Sequence, residues 1–317
     1  MRDCEFKISA ASAYASEYAI SFLVTAVGCE VTTGNFTITG NTIDSRDTGS
    51  ASGFRDGIRW GGDAKDGGGV NMPHSSTHLR GNLVAGCRSH GMSVLAQVDS
   101  TSSANIQSWD IAHNVIRNNG ESGILFDFGD GVNISYLRCH TNSNIVFGNQ
   151  YGIHIRDKGD VGVGGGQIEL VNDTIVDNFG YGIRLDSGVS GSLALRAVVN
   201  TIVRFNNGGE GFAQWGGSDG YDPAVDTLYF YNNDWGGNPT TANGNIDADP
   251  MFVDMGIHDY HLKGVGIVIS PCIDSGTNTP PGQESLEQTD FEGDRRKIDG
   301  DTDSAVTVDM GADEYKP

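Results

Sequence analysis

The stretch Tyr151–Asp160, YGIHIRDKGD, contains the step that decides the fold, a glycine followed by an aliphatic residue. The same glycine-apolar step recurs along the chain, at Gly57-Ile58, Gly91-Met92, Gly123-Ile124, Gly152-Ile153, Gly182-Ile183 and Gly211-Phe212. Successive apolar members are 34, 32, 29, 30 and 29 residues apart. A period near thirty residues predicts stacked units with one buried apolar column, since a single unit cannot bury its own apolar face.

A second repeat places Asn or a small polar residue two positions before an apolar one. Its members are Asn41-Ile43, Asn82-Val84, Asn114-Ile116, Ser143-Ile145, Asp173-Ile175, Asn200-Ile202 and Asn233-Trp235. The spacing between the two repeats is typical of two short strands joined by a tight Asn/Gly turn, and apolar runs at Ile168, Leu193 and Leu228 predict a third strand. Three strands in about thirty residues predict an all-β fold, a right-handed parallel β-helix of about seven or more coils whose Asn side chains hydrogen-bond along the turns.

The periodic part defines the expected organisation of the chain. We expect an N-terminal cap or first coil over residues 1–35, coils over 36–238, and a C-terminal coil and capping segment over 239–317. The apolar run from Tyr18 to Cys29 follows acidic residues, whereas a signal peptide begins with basic ones, so we interpret it as a first strand or capping coil. Loops rich in Gly, Ser and Asp interrupt the coils and are expected to wall one face.

Composition limits the classes of function. The formal net charge is −21 over 317 residues, which argues against nucleic acid and against anionic membranes as partners. No stretch is long enough to span a bilayer, so no membrane insertion is expected. The five cysteines fall at different places in the repeat and are interpreted as buried free thiols. An acidic protein that handles an acidic polymer needs local Arg, Lys or a bound cation.

The segment after residue 238 carries a series of short motifs. They are DADPMFVD from Asp247, HDYHL from His258, SPCIDSG from Ser270, DFEGDRRKIDGDTD from Asp290 and VDMGADEY from Val308. This series resembles the C-terminal end of secreted bacterial β-helix proteins of the pectate-lyase-like superfamily. The resemblance implies a secreted or cell-surface protein that acts on or binds a polysaccharide or oligosaccharide without an organic cofactor. It does not select one activity, because the superfamily includes lyases, hydrolases, epimerases and phage tailspikes.

Alternate aspartates in the motif IDGDTD indicate a candidate calcium loop, formed by Asp299, Asp301 and Asp303. Hard carboxylate oxygens suit Ca²⁺. The EF-hand pattern is not met, and the alternative is a solvated acidic turn.

The candidate active site lies on the outer face of the strand that follows the glycine-apolar step. Strand side chains alternate, so the residues one and three places after the apolar anchor point outward together. With coils about 4.8 Å apart, the third places stack Asp127, Arg156 and Asp186 in one column. His154 stands beside that column and, with Lys158, completes the set of candidate catalytic residues. The candidate substrate-binding residues are Arg184, Arg59, Trp215 and Tyr181. The alternative is ordinary ion pairing between strands on a solvated surface.

Three functions fit this column. A polysaccharide lyase would remove the proton next to a uronate carboxylate, with Arg156 or Lys158 as base and Asp127 and Asp186 as cation ligands, and we favour this interpretation. A glycoside hydrolase would use Asp127 and Asp186 as paired carboxyls roughly 9 to 10 Å apart. A glycan-binding module would hold sugar without turnover. We expect a monomer, and the histidines show no zinc-binding spacing.

Overall fold

A computed structural model describes most of the chain. The residues it describes are 5–7, 18–32, 36–45, 53–66, 69–72, 77–99, 101–128, 134–157, 166–187, 195–208, 215–217, 229–236, 242–264, 268–281 and 286–317. Within these ranges the regular structure is almost entirely β-strand, and the helical turns are three short 3₁₀ turns at Asn206–Gly208, Ala242–Gly244 and Met255–Ile257. No helix in the described part of the chain has the length and apolar character needed to cross a bilayer.

The strands stack in three parallel sheets that form the sides of a β-solenoid, as predicted. The strands of sheet 1 are β2 (Tyr18–Val27), β6 (Asp56–Lys65), β10 (Met92–Val98), β13 (Ser122–Phe128), β16 (Tyr151–Asp157), β19 (Ile183–Ser187) and β22 (Trp215–Gly217). Those of sheet 2 are β3 (Glu30–Thr32), β4 (Phe36–Thr39), β7 (Gly69–Met72), β8 (Thr77–Arg80), β11 (Ser103–Ala112), β14 (Ile134–Asn142), β17 (Gly166–Val171), β20 (Leu195–Val199) and β23 (Tyr229–Tyr231).

The third side of the solenoid is built from short strands. The strands of sheet 3 are β1 (Glu5–Lys7), β5 (Thr42–Asp44), β9 (Leu83–Ala85), β12 (Val115–Arg117), β15 (Ile145–Phe147), β18 (Thr174–Val176), β21 (Ile202–Arg204) and β24 (Asp234–Trp235). Beyond it, β25 (Phe252–Asp254) and β26 (Asp259–Leu262) pair antiparallel. The regular step of 29 and 30 residues joins Ile124 to Ile153 and Ile153 to Ile183, so strict regularity is confined to three consecutive coils.

The first apolar column forms as the glycine-apolar repeat predicts. Ile58, Met92, Ile124, Ile153 and Ile183 pair in register along sheet 1 and are fully buried. The glycine before each anchor is required by close packing: a Cβ on Gly152 would lie 2.4 Å from the carbonyl oxygen of Gly182. Phe212, the last predicted member, lies outside the described residues. Trp215 pairs with Ile183 instead, three residues further along the chain.

The second apolar column is shifted by one residue in two coils. Val146 pairs with both Ile116 and Ile175, and Val203 pairs with Ile175, so the prediction that Ile145 and Ile202 belong to this column was wrong. The reason is that the turn residue hydrogen-bonded to the neighbouring coil is Asn144 rather than Ser143, and Thr201 rather than Asn200, and the inward residue follows it by two positions. Ile145 and Ile202 pack on the other face of sheet 3, against the C-terminal segment.

Two ladders of buried asparagines connect the coils at the turns, as the Asn repeat predicts. In the first, each Nδ2 donates to the Oδ1 of the next coil at 2.9–3.0 Å, in the order Asn41, Asn82, Asn114, Asn144 and Asp173. The second runs through Asn119, Asn149, Asn178 and Asn206 at 2.9–3.1 Å. These bonds satisfy polar groups that have no access to water and fix the register of neighbouring coils.

The part of the chain that follows the hairpin of β25 and β26, called here the C-terminal segment, covers the outer face of sheet 3. Met310 and Ala312 pack in one buried cluster with Ile145 and Ile202. The fully buried guanidinium of Arg296 donates to the Ser143 hydroxyl at 2.8 Å and to two carbonyl oxygens of the segment.

Candidate functional site

Three columns of side chains stand on the outer face of sheet 1. One lies two residues before each apolar anchor and contains Asp56, His90, Ser122, Tyr151 and Tyr181. The second, one residue after the anchor, contains Arg59, Ser93, Leu125, His154 and Arg184. The third, three residues after it, contains Leu95, Asp127, Arg156 and Asp186. The predicted stacking of Asp127, Arg156 and Asp186 is therefore confirmed, and the first column was not predicted.

The charged residues of the predicted column divide into two bonded groups. In the first group, Arg156 Nη2 lies 2.9 Å from Asp127 Oδ2. In the second, Asp186 Oδ2 lies 2.9 Å from both His154 Nε2 and Arg184 Nε. Arg184 also donates to the Tyr151 hydroxyl at 2.6 Å. Asp186 therefore bonds to two side chains, the imidazole of His154 and the guanidinium of Arg184. Among the described residues Asp127 bonds to one side chain, the guanidinium of Arg156.

A cavity of about 250 Å³ opens beside the first group. It is lined by Arg55, Asp56, Arg59, His90, Ser93, Leu95, Gln97, Leu125, Asp127 and Arg156. Four consecutive strands of sheet 1 contribute to it, from β6 to β16. The structure thus brings three predicted residues, Arg59, Asp127 and Arg156, into one cavity, but it adds Asp56 and His90 to them.

Asp56 is a carboxyl group held away from water. It is 3 % exposed and accepts hydrogen bonds from the Ser93 hydroxyl at 3.1 Å and from the His90 backbone N–H at 3.3 Å. Burial raises the pKa of Asp56, against the opposing effect of these bonds. A carboxyl group with a raised pKa keeps its proton to higher pH and is suited to act as a general acid.

His90 is neutral and fixed in one tautomer. Burial, together with the charge of Arg156, lowers its pKa to about 3. Its Nδ1 accepts from the Ser122 backbone N–H at 3.3 Å, so the proton resides on Nε2, which lies 3.1 Å from Glu121. His90 therefore presents a donor rather than a basic nitrogen to its surroundings.

His154 and Asp186 influence each other. Burial lowers the pKa of His154, although the hydrogen bond to Asp186 acts in the opposite direction. Burial also acts to raise the pKa of Asp186, but hydrogen bonds from Arg184 and His154 outweigh it and the pKa is lowered. Asp186 is thus held as an anion between its partners, outside the residues that line the cavity.

The cavity reverses the charge balance of the protein. It contains three arginines against two aspartates, although the formal net charge of the chain is −21. Asp127 Oδ1 is buried and has no hydrogen-bond partner among the described residues. Arginine clusters recognise carboxylates through paired N–H donors, so the cavity is suited to a small anionic group.

Other predicted site residues are placed differently. The register puts Trp215 beside Ile183, so the expectation that it follows Asp186 in the outward column was wrong, and the reason is a longer connection before β22. Tyr181 stacks on Tyr151 with ring centroids 6.2 Å apart, next to the second charged group. Arg59 Nη1 donates to the Tyr18 hydroxyl at 2.7 Å. Lys158 lies outside the described residues.

The predicted calcium loop contributes two of its three aspartates to a carboxylate cluster. Ligand oxygens of Asp274, Asp299 and Asp301 all lie within 4.8 Å of one another. Oδ1 of Asp274 and of Asp299 is buried without a hydrogen-bond partner among the described residues. Asp303 is not part of this cluster, and its Oδ1 accepts from the Ala305 N–H at 2.6 Å. Three hard oxygen donors with orphaned buried atoms fit a Ca²⁺ ion.

Comparison with known proteins gave no match, whether against family models, curated proteins or solved structures.

Proposed function

We propose that the protein cleaves an acidic polysaccharide by β-elimination in the cavity on sheet 1. The observation that carries this proposal is the local reversal of charge, with Arg55, Arg59 and Arg156 gathered in one cavity of a strongly acidic chain. A uronate carboxylate bound there would have its charge neutralised, which is the requirement for removing the neighbouring proton as an enolate forms.

The contacts of the cavity residues support a different role for each of three residues, as carboxylate-binding group, base and acid. Arg156 is held by Asp127 at 2.9 Å, and a guanidinium donates hydrogen bonds but does not give up its proton in proteins, so we assign it to the substrate carboxylate rather than to proton abstraction. Asp127 is the candidate base, because its Oδ1 has no hydrogen-bond partner among the described residues. Asp56 is the candidate acid, because burial raises its pKa.

In the proposed elimination, Asp127 and Asp56 exchange protons with the substrate. Asp127 takes the proton from the carbon next to the uronate carboxylate, and the electron pair passes into the enolate. The enolate then expels the glycosidic oxygen on the adjacent carbon, which forms a carbon–carbon double bond. Asp56 gives its proton to the departing oxygen, so one sugar leaves with a hydroxyl and the other carries the unsaturation.

A panel of uronic-acid and neutral polysaccharides tests this proposal. Elimination produces reducing ends together with the ultraviolet absorbance of an unsaturated uronate. Arg156→Ala and Asp127→Asn should each lower kcat/KM by about 100-fold or more, as expected for loss of a charge-stabilising or proton-transferring group. Arg295→Ala removes an exposed arginine of the C-terminal segment and should leave the rate unchanged. Wild-type activity in both cavity variants would contradict the proposal.

A glycoside hydrolase is the second candidate, because two carboxyl groups with different environments line the cavity. Asp56 has a raised pKa and Asp127 is paired with Arg156, an arrangement that separates acid from base. The pair is Asp56 with Asp127 in this case, since Asp186 is bonded to His154 and Arg184. Reducing ends without ultraviolet absorbance would favour this candidate. Sugar binding without products would indicate a glycan-binding module.

We also propose that Asp274, Asp299 and Asp301 hold a structural Ca²⁺. Asp274 accepts backbone N–H bonds from Gly300 and Asp301 through Oδ2, which leaves its buried Oδ1 for the ion. Burial raises the pKa of Asp274, as expected for an anion that lacks a cation. Metal analysis after dialysis should find about one calcium per chain, lost in Asp274→Asn. A calcium-free wild-type protein would contradict it.

The C-terminal motifs support two remaining proposals, namely membership of the pectate-lyase-like superfamily and secretion by a bacterium. We also propose that the protein acts as a monomer. Sedimentation velocity tests the monomer.

A further inference from the structure

A histidine and two carboxylates converge near the end of the chain, on the side of the solenoid that the C-terminal segment covers. Ligand atoms of His261, Glu292 and Asp313 all lie within 4.8 Å of one another. We call these three residues the His261 site. They come from β26, from the segment after it, and from the last residues of the chain, so nothing in the sequence spacing indicates that they meet.

His261 is oriented as metal-binding histidines are. Its Nδ1 is hydrogen-bonded to Asp259 Oδ1, and the backbone N–H of His261 donates to the same carboxylate at 3.2 Å. This fixes the ring and leaves Nε2 directed at the other two carboxylates, 3.2 Å from Glu292 Oε1. A carboxylate that holds the far nitrogen of a histidine is the usual outer partner of a histidine ligand, because it sets the tautomer and raises the basicity of the ligating nitrogen.

Asp313 is a buried carboxylate whose charge has little compensation besides the nearby His261. Its side chain belongs to a residue that is only 6 % exposed, and no lysine or arginine of the described chain forms an ion pair with it. The single hydrogen bond that the described residues give it is a long one, 3.3 Å from the Leu262 N–H to Oδ2. Burying a carboxylate with so little compensation is costly unless a cation completes its surroundings.

We propose that His261, Glu292 and Asp313 bind a divalent transition metal such as Zn²⁺, with Asp259 as the positioning residue. One imidazole nitrogen and two carboxylates match the donors that Zn²⁺ accepts, and they leave a fourth position for water or another ligand. The set is a poor match for Ca²⁺, which prefers oxygen donors alone. It also differs in chemistry from the all-aspartate cluster at Asp274.

The site would connect two parts of the chain. Glu292 and Asp313 both belong to the C-terminal segment, whereas His261 belongs to the hairpin of β25 and β26. A metal bound by all three would attach the segment to the hairpin. Binding is therefore expected to raise the melting temperature, because a ligand that binds only the folded state stabilises it.

Isothermal titration of the full chain with ZnCl₂, in the presence of excess CaCl₂ to fill oxygen-only sites, tests the proposal. The expected result is one zinc per chain, with affinity reduced by about 10- to 100-fold in Asp259→Asn and more in His261→Gln. His78→Gln is the matched control, because His78 is also 3.0 Å from a carboxylate, that of Asp110, but belongs to no three-ligand group among the described residues. Its zinc affinity should equal that of the wild type.

A spectroscopic measurement on the wild-type protein tests the site without relying on variants that could misfold. Cobalt(II) added to the wild-type protein should give visible absorption bands of a site with nitrogen and oxygen ligands, and zinc should displace them. Absence of zinc binding and of cobalt bands in the wild type would overturn the proposal. So would zinc binding that is equal in the wild type, His261→Gln and Asp259→Asn proteins.

Discussion

Asp173 is the single carboxylate in the first asparagine ladder, and its replacement by Asn is a sharp test of how the coils are held together. Asp173 is fully buried, and its Oδ1 accepts from both the backbone N–H and the Nδ2 of Asn144 at 2.9 Å. Where the ladder has an asparagine, the second hydrogen of Nδ2 reaches a carbonyl oxygen of the preceding coil, as in the 2.8 Å bond from Asn144 to Ile111. The carboxylate at 173 instead accepts from the Thr141 hydroxyl.

The size of the stability change expected for Asp173→Asn follows from the pKa of Asp173. Burial raises the pKa of Asp173 from 3.8 to about 6. Because the folded pKa is the higher one, ionisation of Asp173 destabilises the fold progressively as pH rises from 3.8 towards 6, and it costs about 3 kcal/mol at neutral pH. Asp173→Asn removes that cost, and the new amide can donate to the Thr141 carbonyl as other members of the ladder do. The variant should therefore be more stable than the wild type at neutral pH.

Urea unfolding of both proteins, followed by circular dichroism over a range of pH, measures the effect. The difference in unfolding free energy should be small near pH 4 and grow to about 3 kcal/mol near pH 7. Other buried carboxyls titrate too, but they are common to both proteins and cancel in the difference. A difference that does not change with pH, or a variant less stable at neutral pH, would refute the reasoning. Asn114→Asp is the reciprocal control and should destabilise more at neutral than at acidic pH, because Leu79 offers no hydroxyl to the new carboxylate.

Two further predictions concern other buried groups. Calorimetry should show that Arg296→Met lowers the free energy of unfolding by about 3 to 5 kcal/mol. The substitution removes the donor to Ser143 and leaves buried Glu314 without its cation. An unchanged melting temperature would contradict this. Iodoacetamide should label exposed Cys29 in the native protein but Cys139 and Cys272 only after denaturation, because burial raises the pKa of both buried thiols. Mass spectrometry measures the labelling. Labelling of Cys139 or Cys272 in the native protein would contradict this.

The local repeat was sufficient to predict which side chains stack on the outer face of sheet 1. Each coil contributes a glycine, an inward anchor and alternating outward residues, and the period of two in a strand places Asp127, Arg156 and Asp186 in one column without reference to distant parts of the chain. The second apolar column was harder to predict, because Ser143 and Asn144 are both plausible turn residues. Only the hydrogen bond from Asn114 to Asn144 selects between them.

The cavity itself was only partly predictable. Asp56 and His90 stand two residues before the anchors Ile58 and Met92, and inspection of that position in every repeat would have found them. Their pKa values, however, depend on burial by neighbouring coils, which a sequence does not show. The pairing of Asp186 with His154 and Arg184, which leaves Asp127 as the freer carboxylate, also required side-chain positions.

What the sequence determined by itself is the solenoid, because a parallel β-helix is built from contacts between neighbouring repeats and each repeat carries the same local pattern. The tertiary structure decided everything that depends on chain segments far apart. The register of Trp215 depends on a longer connection, Asp274 joins Asp299 across the C-terminal segment, and His261 meets Asp313. These contacts depend on how an irregular segment folds back on the coils. They do not recur at a fixed spacing, so no pattern in the sequence predicts them.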